Sequence, residues 1–198
     1  MWPARAWCAN WRRLKRGGCH DGQTVLDFWF KEIDAKQWWT KSAEFDQLIA
    51  SRFGSLHAAA ARCELQAWRE TPQGRLAEII VLDQFSRNMY RDQPQAFACD
   101  ALALALAQTA VAAGADAVLE IQQRSFLYMP YMHSESPLIH NSAQALFSQA
   151  GLESSLASEH QHKAIIDRFG RYPHRNAILG RPSTTEELEF LATPGSSF

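Results

Sequence analysis

Between residues 24 and 192, apolar side chains recur three and four positions apart, and no stretch alternates with a period of two. That spacing places them on one face of an α-helix, so the chain is predicted to be all-α. A first helix is expected over 24–31, capped by Thr24, with Val25, Phe28 and Trp29 inward. Thr40 or Ser42 opens a second to Phe53, with Phe45, Leu48 and Ile49 inward, and Gly54 separates it from an alanine-rich helix reaching Trp68. Thr71 followed by Pro72 starts a helix to about Tyr90. Pro94 starts one to Gly114, and residues 116–129 form another, ended by Pro130. Ser136 and Pro137 open a helix to Ala150, and Ser154 or Ser155 opens one to Phe169, where Gly170 stops it. Residues 173–179 read as a short helix or turn. Ser183 and Thr184 each precede a glutamate by three positions, a doubled capping-box signal for a last helix to Ala192. Short connections between consecutive helices predict antiparallel pairs, stacked as an α-solenoid or an irregular bundle. No 34-residue sequence repeat is visible.

Charge divides the chain in two. Residues 1–20 carry Arg5, Arg12, Arg13, Lys15 and Arg16 and no acid, while the overall formal charge is −1. Residues 1–20 are therefore expected to be a basic, tryptophan-containing extension, disordered, with a membrane-surface contact through Trp7, Trp11 and Leu14 as the alternative. Residues 21–198 are expected to form a single helical domain of mildly acidic character, which argues against general nucleic-acid binding. The longest apolar region, 101–113, is shorter than the ~18 residues a membrane span needs, so no transmembrane segment is expected. Cys8, Cys19, Cys63 and Cys99 show no metal-ligand or disulfide spacing. That pattern fits a reducing, cytoplasmic setting, and neither metal nor cofactor is expected.

Three polar groupings interrupt the apolar pattern. On a helical wheel of residues 72–91, Leu76, Ile79, Ile80 and Tyr90 share an arc with Asp83 and Arg87, and Val81, Leu82, Phe85 and Met89 lie opposite. A helix apolar on both sides is central, so Asp83 and Arg87 are expected to be partly buried and paired, acid first at i, i+4. Gln84, Asn88 and Arg91 lie nearby on the same helix. The second grouping, residues 128–137, reads as a non-helical elbow between two prolines that carries His133 and Glu135. A histidine beside a carboxylate suits proton transfer, or equally a simple ion pair.

The third grouping is RFGRYPHRNAILGR, residues 168–181, with Arg168, Arg171, Arg175 and Arg181 beside His174 and Asn176 and no acid. Glycine and proline punctuation predicts a turn–helix–turn that fixes the guanidinium groups. Such a cluster can receive a phosphate or carboxylate, and it can equally clamp the C-terminal turns to the bundle.

These motifs together carry a resemblance. VLDFWF (25–30), DQFSRNMYR (83–91), Asp100, FLYMP (126–130), His133 with Glu135, and His162 through Thr184 resemble a bacterial family of unknown function, number 924, over about residues 24–192. The resemblance implies an all-helical, tetratricopeptide-repeat-like fold and no established reaction. It carries over Asp83, Gln84, Arg87, Asn88, Arg91, Asp100, His133, Glu135, His162, Arg168, Arg171, His174, Arg175, Asn176, Arg181 and Thr184 as motif residues.

Three functional readings follow from the sequence. A polar pocket of Asp83, Arg87, Asn88, Arg91, Arg168, Arg171, Arg175, Asn176 and Arg181 would bind a small anion or an acidic peptide end. A hydrolase or phosphoryl-processing enzyme would use His133 or His174 for acid–base work, with Glu135 as orienter and the arginines stabilising charge. An interaction scaffold would use the polar network only to set helix packing.

Overall fold

The structure is a computed structural model that describes residues 21–197. The expected extension of residues 1–20 lies outside the described residues. Those that are described form helices and turns with no strand.

Asp21, not Thr24, caps α1 (Gly22–Asp27): its carboxylate accepts from the Thr24 N–H and hydroxyl, each at 2.9 Å. Thr24 sits three positions into the turn, where a cap's acceptor reaches. The chain continues as a π-helical turn, Phe28–Glu32. Helix α2 (Ala43–Ala61) starts at the Ser42 cap and passes straight through Gly54, where the sequence predicts a break. Phe45, Ile49, Phe53, Leu56, His57 and Ala60 are buried along this one helix. Their burial outweighs the ~1 kcal/mol that an interior glycine costs.

The helix predicted from Pro72 to Tyr90 is three pieces: α3 (Pro72–Ile80), a π-helical turn (Val81–Phe85) and α4 (Ser86–Met89). Widening to i→i+5 hydrogen bonds breaks the regular 100° wheel at Val81. The expectation of a central helix holds, since Leu76, Ala77, Ile79, Ile80, Val81 and Leu82 are all buried. Helix α3 contacts α1, α5 (Asp100–Ala112) and α6 (Ile121–Met132). Pro94 opens only a short 3₁₀ turn, Pro94–Ala96, ahead of α5. Pro130 lies inside α6 rather than ending it, and the His133 N–H still donates to Met129 O at 3.0 Å. Proline removes one ladder bond there, while Ser125 to Met132 are all buried, so packing holds the helix together. The elbow is accordingly shorter than predicted and spans residues 133–136.

Helices α7 (Pro137–Phe147) and α8 (Glu153–Phe169) complete the series, with α5, α6, α7 and α8 packed in order. Gly170 ends α8 at φ 69°, the left-handed conformation that favours glycine. A 3₁₀ turn, Pro173–Arg175, leads to α9 (Thr185–Leu191), which is capped by Thr184 and Glu187. The core is aromatic where the early helices meet. Phe28 and Phe85 each lie 4.9 Å from Phe53, centroid to centroid, and Trp29 lies 5.7 Å from Phe126.

By length and composition alone, residues 94–112, a stretch of 19 with a mean hydropathy of 1.3, are long and apolar enough to cross a membrane, which the shorter apolar region 101–113 does not suggest. Here Ala103, Ala107 and Ala110 of that segment are buried, and α5 packs on α3 and α6. The packing also sets the polar cluster. It brings the π turn and α4, the 133–136 elbow, the start of α5 and the Pro173–Arg175 turn to one place.

Candidate functional site

Asp83 stands at the centre, on the π turn, with 1% of its surface exposed. One carboxylate oxygen accepts from His133 Nδ1 at 2.7 Å and faces Arg87 Nη1 at 3.1 Å. The other accepts from Gln84 Nε2 at 2.5 Å. Burial opposes ionisation of Asp83, but Arg87 and His133 outweigh it and hold the carboxyl well below the usual carboxylate range. Burial, then the Arg87 charge, depresses the proton affinity of His133 despite Asp83. The neutral ring donates its Nδ1 hydrogen to Asp83, which leaves Nε2 as an acceptor. Nε2 has no hydrogen bond with any described residue, and the His133 side chain keeps 15% exposure.

Two arginines back this pair. Arg87 donates twice to Asp100, at 3.0 Å each, and once to Asp83 O at 2.9 Å. Arg175, from the C-terminal turn, reaches Asp100 at 3.2 Å and His133 O at 3.0 Å. Its guanidinium lies 4.6 Å from each of the ring centroids of Phe97 and Tyr172. Arg175 Nε is buried without a hydrogen-bond partner. His174, on the same turn, has its pKa lowered to about 4, first by burial and then by Arg175, with Lys41 contributing from the turn before α2.

Glu135 does not orient His133, as the enzyme reading expects; Asp83 does. Glu135 accepts from Arg181 at 2.6 and 2.9 Å and from Tyr172 N at 2.8 Å. Arg181 also donates to Asn176 Oδ1 at 3.0 Å. Glu135, Arg181 and Asn176 thus form a brace beside the Asp83 cluster.

The other predicted residues lie apart. Asn88 and Arg91 bind Asp46 at 2.6–2.8 Å and fasten α4 to α2. Arg171 clasps Glu187, whose carboxyl it holds down at about 2. Arg168 meets Glu186 at 2.8 Å, with both side chains more than half exposed. The arginine run that is acid-free in sequence is therefore matched by carboxylates in space: Glu186, Glu187, Asp100 and Glu135. An aspartate such as Asp100 opening a helix is commonplace, so the sequence offers no signal that it serves two distant arginines.

A second pair escapes sequence reasoning altogether. His140 Nδ1 lies 2.7 Å from Glu159 Oε1, and both side chains are fully buried. His140 has no acid within four positions in the sequence, and its partner comes from α8. Two surface hollows lie elsewhere. One, of about 430 Å³, is lined by Ile165, Arg168, Phe169 and Phe190; the other, of about 950 Å³, by Arg69, Arg75 and Leu106.

Comparison with known proteins adds family and fold. Residues 25–195 match the family described as bacterial protein of unknown function, DUF924. The solved structure of ATU0120, a protein of unknown function from Agrobacterium tumefaciens, is similar with 37% identity and a TM-score of 0.83, covering 86% of this chain and 96% of that one. No curated protein matches the chain.

Proposed function

We propose that this chain, which belongs to the bacterial family of unknown function DUF924, binds a small acidic molecule or acidic peptide end at His133. The Asp83–His133 pair carries the reading. The arginines around it are already matched by carboxylates, so a new negative charge needs a new positive one. His133 is the group able to supply it: Asp83 anchors Nδ1–H, and Nε2 is free to take a proton. Binding then couples to protonation, and the imidazolium bridges Asp83 on one side and the ligand's acid on the other. Arg175, with an unused buried Nε, and Arg87 lie beside the same carboxylates.

The rival enzyme reading rests on the same pair, with His133 withdrawing a proton from the ligand instead. The direction of proton movement separates the two. The test is calorimetric titration with a panel of carboxylates and inorganic phosphate, in buffers of differing ionisation heat. A binding-competent anion should bring about one proton with it, and its affinity should rise as pH falls from 7 to 6. His133→Asn should abolish both effects. Absence of any binding or melting shift at millimolar concentrations would sink the proposal, since a 100-fold excess over Kd adds ~2.7 kcal/mol of stability. Proton release in place of uptake would favour the enzyme.

A further inference from the structure

His140 on α7 and Glu159 on α8 are both completely buried, yet both are ionisable. The hydrogen-bond donors around them can be counted. His140 Nε2 lies 2.9 Å from Ser134 O and 3.2 Å from the Tyr172 hydroxyl. That hydroxyl donates its one hydrogen to Met132 O at 2.6 Å, so it presents only a lone pair to the imidazole. Both neighbours of Nε2 are acceptors, and Nε2 must therefore carry a hydrogen. On the other side of the ring, 2.7 Å separates Nδ1 from Glu159 Oε1. One proton occupies that line, whether the imidazole or the carboxyl formally owns it. The pair is net neutral in either case, which is the condition for two such groups to be buried together.

This arrangement has a target. The Nε2 hydrogen is aimed at the carbonyl of Ser134, the residue between His133 and Glu135. Residues 133–136 are outside any helix and, apart from the Ser136 N–H donating to Ser134 Oγ at 3.2 Å, have no ladder of their own. The elbow is held from outside: by His140 at Ser134 O, by Arg175 at His133 O, and by Arg181 at Glu135. Glu159 fixes the direction of the first of these, because without a partner for Nδ1 the ring is free to change tautomer or turn.

We infer that His140 and Glu159 are positioning residues, which set the elbow and with it the direction of His133 Nε2. The inference rests on the reading of His133 as the ligand-receiving group, but its test needs no ligand. In ¹⁵N-labelled protein, His140 should show an exchange-protected Nε2–H, assigned by its loss in His140→Phe. In Glu159→Gln the amide can still donate to Nδ1, so the His133 ring resonances and titration midpoint should match those of the wild type. In Glu159→Leu they should be displaced, with loss of the Nδ1–H signal that faces Asp83. A folded Glu159→Leu protein with an unaltered His133 spectrum overturns the inference. If that variant fails to fold, the wild-type spectrum decides: an unprotonated or freely exchanging His140 Nε2 overturns it equally. A missing ligand would leave both results unchanged, so failure of the binding proposal is recognised separately.

Discussion

Asp83 and His133 lie 50 positions apart in the chain, and a 2.7 Å hydrogen bond joins them. The carboxylate is 1% exposed and also serves Gln84 and Arg87. Asp83→Asn keeps the shape and removes the charge, leaving Arg87 and Arg175 to share Asp100 alone. Breaking a buried ion pair by neutralising one partner costs about 3–5 kcal/mol. In a chain of this length each kcal/mol is worth about 2–4 °C of Tm. Thermal denaturation of Asp83→Asn should show a loss near 10 °C; a change of only a degree or two would mean that the pair is not a buried keystone.

Acid should weaken the fold before its carboxylates titrate. Burial lowers the pKa of His133, of His174 to about 4 and of His162 to about 3. Each group binds its proton more readily when unfolded, near its ordinary value of ~6.5. Their contribution is therefore complete above pH ~6.5 and declines as pH falls from there toward about 4 and then 3. The depressed Glu135 and Glu187 act lower, below the ordinary carboxylate range. Urea denaturation between pH 7.5 and 5 should show stability falling with pH in steps of more than one proton. A flat profile over that range would contradict the buried, neutral histidines.

Sequence legibility follows the range of the interaction. Thr184 with Glu187, Pro72 after Thr71, and Gly170 are signals read within four residues, and all three act as expected. Burial of Asp83 follows from a helix apolar on both sides, which is still local information. Its pairing with Arg87 at i, i+4 is local too and is found at 3.1 Å, but its histidine partner is not legible: His133 arrives from another helix pair. The arginine run misleads for the same reason. Arg175 finds Asp100 across 75 positions and Arg181 finds Glu135 across 46, and no periodicity encodes such pairings. His140 with Glu159 is the extreme case, since Glu159 stands beside His160, His162 and Lys163 in the sequence and yet pairs with His140, 19 positions away.

The arginines of residues 168–181 should separate by environment. Arg168 and Glu186 are both more than half exposed, and such pairs contribute about 0–1 kcal/mol. Arg181 holds Glu135 through two contacts and also Asn176 Oδ1 and Tyr172 O, all partly buried. Arg181→Ala would leave Glu135 short of its counter-charge and should cost about 2–4 kcal/mol, whereas Arg168→Ala should cost about 1 kcal/mol or less. Chemical denaturation of the two variants side by side measures the difference. Equal losses would show that the clasp on α9 matters as much as the brace at the elbow.

Two glycines make opposite predictions. Gly54 lies in the middle of α2 without a positive φ, and a Cβ there would meet nothing within 4 Å. Gly54→Ala therefore introduces no clash and removes the entropic handicap of an interior glycine, so it should stabilise the protein by about 0.5–1 kcal/mol. Gly74 lies in the first turn of α3, where its N–H is capped by Thr71 at 3.0 Å. A Cβ there would come within 2.0 Å of the Trp68 carbonyl oxygen, a backbone atom with no freedom to swing aside. Gly74→Ala must push α3 away from the 3₁₀ turn Gln66–Glu70 and should cost about 3 kcal/mol or more. Because α3 carries the π turn, the same displacement should also disturb the His133 ring resonances, which Gly54→Ala should leave in place. Destabilisation by Gly54→Ala would mean that α2 does break there, as the sequence alone suggests.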